Sequence, residues 1–467
     1  MQVLRKLIVS DKSFYKRVLT LAIPIAMQSL ITIGVNMLDT IMVGKLGEAQ
    51  LSATSLANQF ISIYHIFCMG IGMGASVLVS RYWGMRAAEP EKADAALKKT
   101  VCIMLRLAVG LAAVFALLTL LIPTQIMRTY TPDETIIRLG AEYLRYSVVT
   151  FFFLGLSLVC TIVLRSVGQV HLPLLVSVGA LFVNLTANYA FIFGKLGAPR
   201  MEIAGAAIGT LIARVYEASV ICGYLLLVDK KIGFRVKHLL MHTGDLIGEY
   251  VRISIPVLVS DAILAFGNNS VAMVIGRLGQ TFVAANAITS VTQQMSSVMI
   301  QGVCQAGSIV TGQTLGQGDK DKAMEQGYGF LGFGIGLGLV SAIFIMAVSN
   351  PIIRSYEVTQ ETAQMAQQLM AAISIIVLFQ ATNSIMTKGV LRGGGDTKML
   401  MLADNVFLWV LSIPMGIIAG FVLKLPAFWV YVALKFDQIA KAVWCVLRLR
   451  SGKWIKKITA GNVGREH

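Results

Sequence analysis

A single carboxylate, Asp39, lies inside a long apolar segment of the sequence that runs from Pro24 to Gly47. A charged group at the centre of a bilayer costs about 3 kcal/mol even on lenient insertion scales, so an acid there usually has a function. Asn184 and Asn188 stand four residues apart in another apolar segment and would share one helix face. With Thr210 they could surround the carboxylate and hold a proton or a monovalent cation. We therefore predict an ion-coupling site made of these four residues; the alternative is an acid that reaches the outer membrane interface.

A second group of polar and thioether side chains falls on segments that could face a cleft. Flexible methionines suit surfaces that repack around dissimilar apolar ligands, although ordinary packing explains many of them. The predicted substrate-binding residues are Asn36, Met37, Asn58, Gln59, Asn286, Gln293 and Asn383.

Four charged residues have spacings that favour ion pairs within one helix, and two acids have no such neighbour. Arg214 precedes Glu217 by three residues, and Asp437 precedes Lys441 by four, so both pairs have a structural explanation. Asp261 and Asp404 stand alone in the second half of the sequence.

The composition predicts an all-α protein that crosses the membrane many times. The chain has 467 residues, of which 56% are hydrophobic and 14% charged, and its mean hydropathy is +0.72. That is too little polar surface for a soluble globule of this size. About 20 apolar residues cross a hydrocarbon core, and twelve segments of the chain qualify. They lie near 18–43, 51–79, 97–122, 140–164, 172–194, 200–227, 250–275, 283–311, 325–349, 364–390, 398–423 and 426–449.

The basic residues are distributed unevenly between the two sides of the membrane. Of 40 Lys and Arg residues, 27 lie at the termini and in the even-numbered loops, and 8 lie in the odd-numbered loops. The positive-inside rule then places both termini in the cytoplasm. The net charge of +16 is explained by topology and by contact with the lipid bilayer, so we expect no nucleic-acid partner.

The sequence contains an internal repeat. Moving 232 positions along the chain aligns Pro24 with Pro256 and Gly47 with Gly279, whereas the position opposite Asp39 is Val271. Six spans per half give a parallel repeat, so both halves have the same orientation. We predict two pseudo-symmetric six-helix lobes, 1–228 and 250–467, joined by a cytoplasmic linker at 229–249, with Pro24 and Pro256 as hinges.

Several short motifs point away from enzyme chemistry. The sequence has no Walker A motif, no H-E-x-x-H and no G-x-S-x-G, so we expect no enzyme activity, no cofactor and no metal site. Gly70-x-Gly72-x-Gly74 and the glycines from Gly327 onward instead resemble the small residues that let transmembrane helices approach closely. Uphill transport would need an ion gradient.

The residues resemble the multidrug and toxic compound extrusion (MATE) family over nearly the whole chain, more in the manner of its DinF-type than its NorM-type branch. The resemblance rests on DTIMVGKLG at the end of the first span and on LRSVGQVHLPLLVSVGALFVNLTANYAFIFG at 164–194. It also rests on IAGAAIGT at 203–210, LRGGGDTK at 391–398 and LRLRSGKW at 447–454. It implies a twelve-helix, two-lobed antiporter that exports organic, often cationic, amphiphilic small molecules in exchange for H⁺ or Na⁺ by alternating access.

Carried over to this sequence, the resemblance assigns ion coupling to Asp39 and Asn184. The chain departs from the family pattern at Asn188, where relatives commonly have a second acid, and near Leu264, where the NorM-type branch has a glutamate. We therefore expect coupling in the first lobe and favour H⁺ over Na⁺. The alternative function is a flippase for lipids or lipid-linked oligosaccharides. We expect a monomer in a bacterial inner membrane.

Overall fold

The protein is described by a computed structural model that covers Val9 and residues 11–356 and 358–457; this part of the chain forms helices and no β-strand. The helices of the first half are α1 (Lys12–Gly44), α2 (Glu48–Met85), α3 (Pro90–Leu121), α4 (Pro123–Arg128), α5 (Glu134–Tyr146), α6 (Thr150–Ser166), α7 (His171–Phe193) and α8 (Glu202–Gly223). Those of the second half are α9 (Gly244–Arg277), α10 (Gln280–Gly316), α11 (Lys320–Ser355), α12 (Gln360–Ser384), α13 (Thr397–Val406), α14 (Ile413–Ile417), α15 (Ala427–Leu434) and α16 (Phe436–Arg450). π-Helical turns continue α8, α12, α13 and α14 at Tyr224–Val228, Ile385–Leu391, Phe407–Ser412 and Ile418–Val422.

The helices account for the twelve predicted spans. Within the described ranges, nine helical segments are long and apolar enough to cross a membrane, and α5 with α6, bent by 60°, makes a tenth. The eighth predicted span is α10, which is long but rich in Gln, Ser and Thr. The twelfth is the pair α15 and α16, interrupted at Lys435. The prediction of an all-α, multi-pass membrane protein is confirmed; the chain termini, predicted to be cytoplasmic, lie outside the described residues.

Contacts between helices divide the described chain into two units. One unit is Met27–Leu258, and the other contains the described residues up to Ala26 and from Val259 onward. Both boundaries fall two residues after a helix proline, Pro24 in α1 and Pro256 in α9. Proline removes one helical hydrogen bond, so these positions are weak points of their helices. The lobes 1–228 and 250–467 and the hinge role of the prolines stay predictions.

Glycines allow close helix packing in the unit Met27–Leu258. A Cβ on Gly70 would lie 2.7 Å from the Cβ of Leu258, and a Cβ on Gly74 would lie 1.9 Å from Ser254 Oγ. Helices α2 and α9 can therefore approach only because α2 carries no side chain at these two positions. This confirms the interpretation of the Gly-x-Gly-x-Gly pattern as a packing device.

The connection between the two halves is held against the first half by hydrogen bonds. Asp229 accepts hydrogen bonds from the backbone N–H of Lys231 and Ile232, and from Gln169 Nε2 at 2.8 Å. His238 Nδ1 accepts a hydrogen bond from the backbone N–H of Arg235 at 2.9 Å. Desolvation, followed by the nearby cations Lys98, Lys237 and Arg235, lowers the pKa of His238, so its ring is mainly neutral at pH 7. The residues from 229 to 243 thus have a defined conformation.

Candidate ion-coupling and substrate site

A cavity of about 600 Å³ lies inside the unit Met27–Leu258. Side chains from α1, α2, α5, α6 and α8 line it, and many of them are polar. The volume is in the range of sites that bind drug-sized molecules, about 300–1,000 Å³. The helices that form it are the ones that carry most of the ion-coupling and first-lobe residues predicted from the sequence.

Asp39 lines this cavity and is held by an amide rather than by a cation. Asn188 Nδ2 donates a hydrogen bond to Asp39 Oδ1 at 2.6 Å and a second one to Asn184 Oδ1 at 3.2 Å. Asn184 and Asn188 are both buried on α7, 3% and 1% exposed, and they lie on one face as their spacing predicts. The carboxylate therefore meets neutral hydrogen-bond partners, which hold it in place and leave its charge available to a proton or a cation.

A glycine on α8 makes room for this arrangement. A Cβ on Gly209 would lie 2.0 Å from Asn188 Oδ1 and 3.0 Å from the Asn188 backbone nitrogen. Asn188 Oδ1 is buried and has no hydrogen-bond partner among the described residues. Helix α8 thus packs closely against Asn188 at Gly209, and Asn188 Nδ2 faces Asp39.

Charged side chains also line the cavity away from Asp39. Arg165, near the end of α6, donates a short hydrogen bond to Gln28 Oε1, and Gln28 Nε2 donates to Ser177 Oγ at 2.8 Å. Arg214 Nη1 lies 2.6 Å from Glu217 Oε2, which confirms the ion pair predicted from their spacing. The cavity lining therefore contains two carboxylates and two guanidinium groups, together with His65.

The predicted substrate residues of the first half separate into two groups. Asn36 and Asn58 line the cavity, and Asn58 Oδ1 accepts a hydrogen bond from the hydroxyl of Tyr143 at 3.4 Å. Thr210, which was predicted for ion coupling, also lines it. The other two, Met37 and Gln59, are exposed and are not among the lining residues. Their assignment to substrate binding gains no support from the cavity.

The predicted residues of the second half belong to the other unit. Gln293 Nε2 donates to Gln380 Oε1 at 3.1 Å, Asn383 Nδ2 donates to Gln438 Oε1 at 2.9 Å, and the backbone carbonyl of Asn286 accepts from the Thr289 hydroxyl at 3.0 Å. These contacts lie within the second-half helices, and the buried Oδ1 of Asn383 has no hydrogen-bond partner among the described residues. The roles of the three residues in substrate binding stay predictions.

The interpretation of Asp261 and Asp404 as isolated acids is wrong. Asp261 Oδ1 lies 3.2 Å from Arg392 Nη2, and Asp404 Oδ1 lies 3.4 Å from Lys441 Nζ. Lys441 also lies 3.0 Å from Asp437, as its spacing predicts. The partners come from distant positions in the chain, so spacing within one helix could not reveal them.

Most residues that line the cavity were not predicted from the sequence, among them Arg165, Tyr143 and His65. The fourth predicted span ends at residue 164 and so leaves Arg165 in the following loop, whereas α6 extends to Ser166 and Arg165 is only 9% exposed. The repeat could have revealed it, because the segment LRSVGQ at 164–169 aligns with LRGGGD at 391–396 after a gap, which pairs Arg165 with the buried Arg392. Among the described residues, no group of three or more His, Cys, Asp or Glu could hold a metal ion.

The fold and the cavity together define a multi-pass α-helical membrane protein with an interior polar site. The MatE family model matches residues 24–190 and 256–418, and the second match begins at the repeat offset from the first. The chain therefore belongs to the MATE family, whose members are transporters and not enzymes.

Individual relatives of known name match this chain over most of its length. The chain is 23% identical over 446 residues to the probable multidrug resistance protein NorM of Thermotoga maritima, covering 95% of this chain and 93% of that protein. It is 26% identical over 407 residues to the multidrug resistance protein NorM of Burkholderia vietnamiensis, covering 85% of each. The fold is similar to that of a Vibrio cholerae MATE transporter, with a TM-score of 0.84, 16% identity and coverage of 95% and 98%. The predicted DinF-type branch stays a prediction.

Proposed function

We propose that this protein is a secondary active antiporter that exports organic, often cationic, amphiphilic molecules in exchange for protons at Asp39. The observation that carries the proposal is the position of the Asp39 carboxylate, which lines a drug-sized cavity and is held by Asn188 at 2.6 Å. Relatives over most of the chain are named multidrug resistance proteins. Both termini are taken to be cytoplasmic and the protein to act as a monomer.

Competition for one carboxylate supplies the coupling. An ionised Asp39 attracts a cationic substrate in a cavity where water screens charge poorly. A proton that enters from outside neutralises the carboxylate, removes this attraction and releases the substrate outward. Exchange of one proton for one monovalent cation moves no net charge, so each unit of pH gradient supports about tenfold accumulation of substrate. The ionised state of Asp39 binds the substrate and the neutral state carries the proton, so the two ligands favour different states of the protein, as alternating access requires.

The groups around the Asp39 carboxylate favour binding of a proton over a sodium ion. Sodium needs several oxygen ligands, whereas Asn188 directs its amide nitrogen at Asp39. Asp39 is also the one carboxylate of this cluster, since Asn188 stands where relatives commonly have a second acid. A neutral, hydrogen-bonded acid requires no further negative ligand, and protonation therefore suits the residues present.

The flippase alternative is less consistent with the charges of the cavity. A lipid-linked pyrophosphate would require an excess of basic side chains. The residues that line the cavity include two arginines and two carboxylates, and Arg214 is paired with Glu217 at 2.6 Å. The cavity thus has no formal excess of positive charge.

Ethidium transport into everted membrane vesicles tests the proposal. We expect uptake driven by an acidic lumen in vesicles that contain the native protein, no uptake driven by a sodium gradient alone, and at least a tenfold loss in the Asp39→Asn variant. The exposed carboxylate of Glu134, paired with Arg128 at 3.2 Å, provides the matched control Glu134→Gln. Full proton-driven uptake by a correctly inserted Asp39→Asn variant would contradict the role of Asp39, and sodium-driven uptake would contradict proton coupling.

A further inference from the structure

An exposed arginine of α3, Arg106, holds the connection between the two halves of the chain. Arg106 Nη2 donates hydrogen bonds to the backbone carbonyls of Leu239 at 2.7 Å and Met241 at 3.0 Å, and Arg106 Nε donates to that of Leu239 at 3.1 Å. Cys102 Sγ donates to the same Leu239 carbonyl at 3.3 Å. Arg106 has no carboxylate partner among the described residues. Its hydrogen bonds therefore fix the connection without cancelling the positive charge.

The position of Arg106 along α3 places this contact below the membrane surface. Arg106 lies fifteen residues before the end of α3 at Leu121, a distance of about 22 Å at 1.5 Å per residue. Because the hydrocarbon core is about 30 Å thick, a span that ends at Leu121 has Arg106 within it. Lys99 lies seven residues earlier on the same helix, about 10 Å nearer the surface. The carbonyls bonded to Arg106 therefore lie at the membrane boundary rather than in bulk water.

The same part of the connection exposes apolar side chains. Val236–Leu240 forms a 3₁₀-helical turn, in which Val236 is 56% exposed and Leu240 is 91% exposed. Lys237, between them, is exposed as well. A short segment that carries both apolar and basic exposed side chains is typical of a segment that lies in the membrane interface. The exposed leucine thus has an explanation that a solvated loop does not provide.

Three basic side chains surround this turn. Next to desolvation, three cations lower the pKa of His238, so they lie close to its ring: Lys98, Lys237 and Arg235. Lys98 also lies against the connection, since a Cβ on Gly233 would lie 3.9 Å from Lys98 Cε. In the part of the chain that the structure describes, none of the three cations pairs with a carboxylate. A cluster of uncompensated positive charge therefore lies beside the exposed apolar side chains.

We propose that this surface binds the phosphate of an acidic phospholipid in the leaflet on its side of the membrane. The phosphate is bound by Lys98, Arg235 and Lys237, and Leu240 lies among the acyl chains. Arg106 is a positioning residue, which holds the connection at the depth of the headgroups. An acidic lipid fits both parts of the surface, because a soluble anion leaves Leu240 in water and a lipid without net charge leaves the cluster uncompensated.

Native mass spectrometry of the full chain tests the proposal. The protein is released from nanodiscs of dioleoylphosphatidylcholine that contain a minor fraction of dioleoylphosphatidylglycerol, and the retained lipids are identified. The native protein should retain dioleoylphosphatidylglycerol in preference. The triple variant Lys98→Gln/Arg235→Gln/Lys237→Gln should lower its occupancy at least tenfold, because each basic side chain near a membrane surface contributes about fivefold to the binding of an acidic lipid.

A second triple variant controls for the loss of positive charge. Lys320→Gln/Lys322→Gln/Lys453→Gln removes the same charge from exposed positions of the second half, and it should retain the acidic lipid as the native protein does. Leu240→Ser keeps all the cations and should lower the occupancy several-fold, because an apolar side chain is no longer buried among acyl chains.

Arg106→Gln tests the positioning role by two separate measurements. The variant keeps the three cations of the cluster but loses the hydrogen bonds that hold the connection, so the preference for dioleoylphosphatidylglycerol should disappear. The Tm in detergent without added lipid measures any general loss of stability. A lower Tm with the native preference for the acidic lipid would show that Arg106 has a structural role only.

Two further results would overturn the proposal. If the first triple variant retains dioleoylphosphatidylglycerol as the native protein does, or if the control variant loses it to the same extent, the surface is not the binding site. If Leu240→Ser has the native occupancy, the cations bind a phosphate without any contribution from the acyl chains, and a surface for lipid is wrong.

Discussion

At the scale of single residues, the contact between Asp39 and Asn188 depends on a residue that has no side chain. Asn188 is pressed against Gly209, where even a methyl group would lie 2.0 Å from Asn188 Oδ1. The missing side chain leaves room for the position from which Asn188 Nδ2 reaches Asp39 at 2.6 Å. Packing between α7 and α8 orients the partner of the coupling acid.

We predict that Gly209→Ala displaces the Asn188 side chain and uncouples it from Asp39. The expected result is at least a tenfold loss of proton-driven ethidium uptake in vesicles, with a rise in KM, because the carboxylate loses a charge-assisted hydrogen bond worth about 1.5–3 kcal/mol. Gly223→Ala is the matched control, since it lies on the same helix and a Cβ there would meet no atom within 4 Å. Equal activity of the two alanine variants would show that the close contact does not position Asn188.

At the scale of helices, buried charges connect segments that are far apart in the sequence. Lys441 on α16 lies between two carboxylates, 3.4 Å from Asp404 on α13 and 3.0 Å from Asp437. All three side chains are at most 5% exposed. Ser260 Oγ on α9 donates to Asp404 at 2.9 Å, and Ser412 Oγ donates to Asp437 at 3.1 Å. The cluster thus connects α9, α13 and α16.

Lys441→Met should destabilise the second-half unit. Two buried carboxylates would lose their shared cation, and breaking a buried pair in this way costs about 3–5 kcal/mol. We expect a lower yield and a Tm in detergent several degrees below that of the native protein. Adding Asp404→Asn and Asp437→Asn should restore most of the Tm, because no unpaired charge then remains. Arg450→Met, at an exposed position on the same helix, should leave it unchanged. An unaltered Tm in Lys441→Met would refute a stabilising role.

The helices were predictable from the sequence because each span carries its own hydrophobic pattern, and the ion pair Arg214–Glu217 was predictable because its partners share a helix. Apart from the cluster of Asp39, Asn184 and Asn188, neighbours from different helices were not predictable. The isolated appearance of Asp261 and Asp404 arose because their partners, Arg392 and Lys441, come from other segments. Arg165 was placed in a loop because a charge at the end of an apolar run looks like a membrane boundary, whereas its hydrogen bond to Gln28 lets α6 keep it buried.

At the scale of the whole molecule, the repeat conserves the scaffold and varies the charges. Pro24 and Pro256 occupy equivalent helix positions, and the arginines of the two fourth spans are both buried. The acid differs, since Asp39 faces the first-half cavity whereas the equivalent position is Val271. The two halves have therefore diverged in the residues that could bind an ion while keeping those that form the helices.

The distribution of basic residues predicts which loops face the cytoplasm, and two exposed positions test it. Lys230 follows the sixth span and should be cytoplasmic, whereas Glu134 follows the third span and should be external, because loops rich in Lys and Arg are retained inside. In a background without the six native cysteines, a membrane-impermeant maleimide should label the Glu134→Cys variant in intact cells and the Lys230→Cys variant only in everted vesicles. Labelling in the reverse order would show that the topology is opposite to the predicted one.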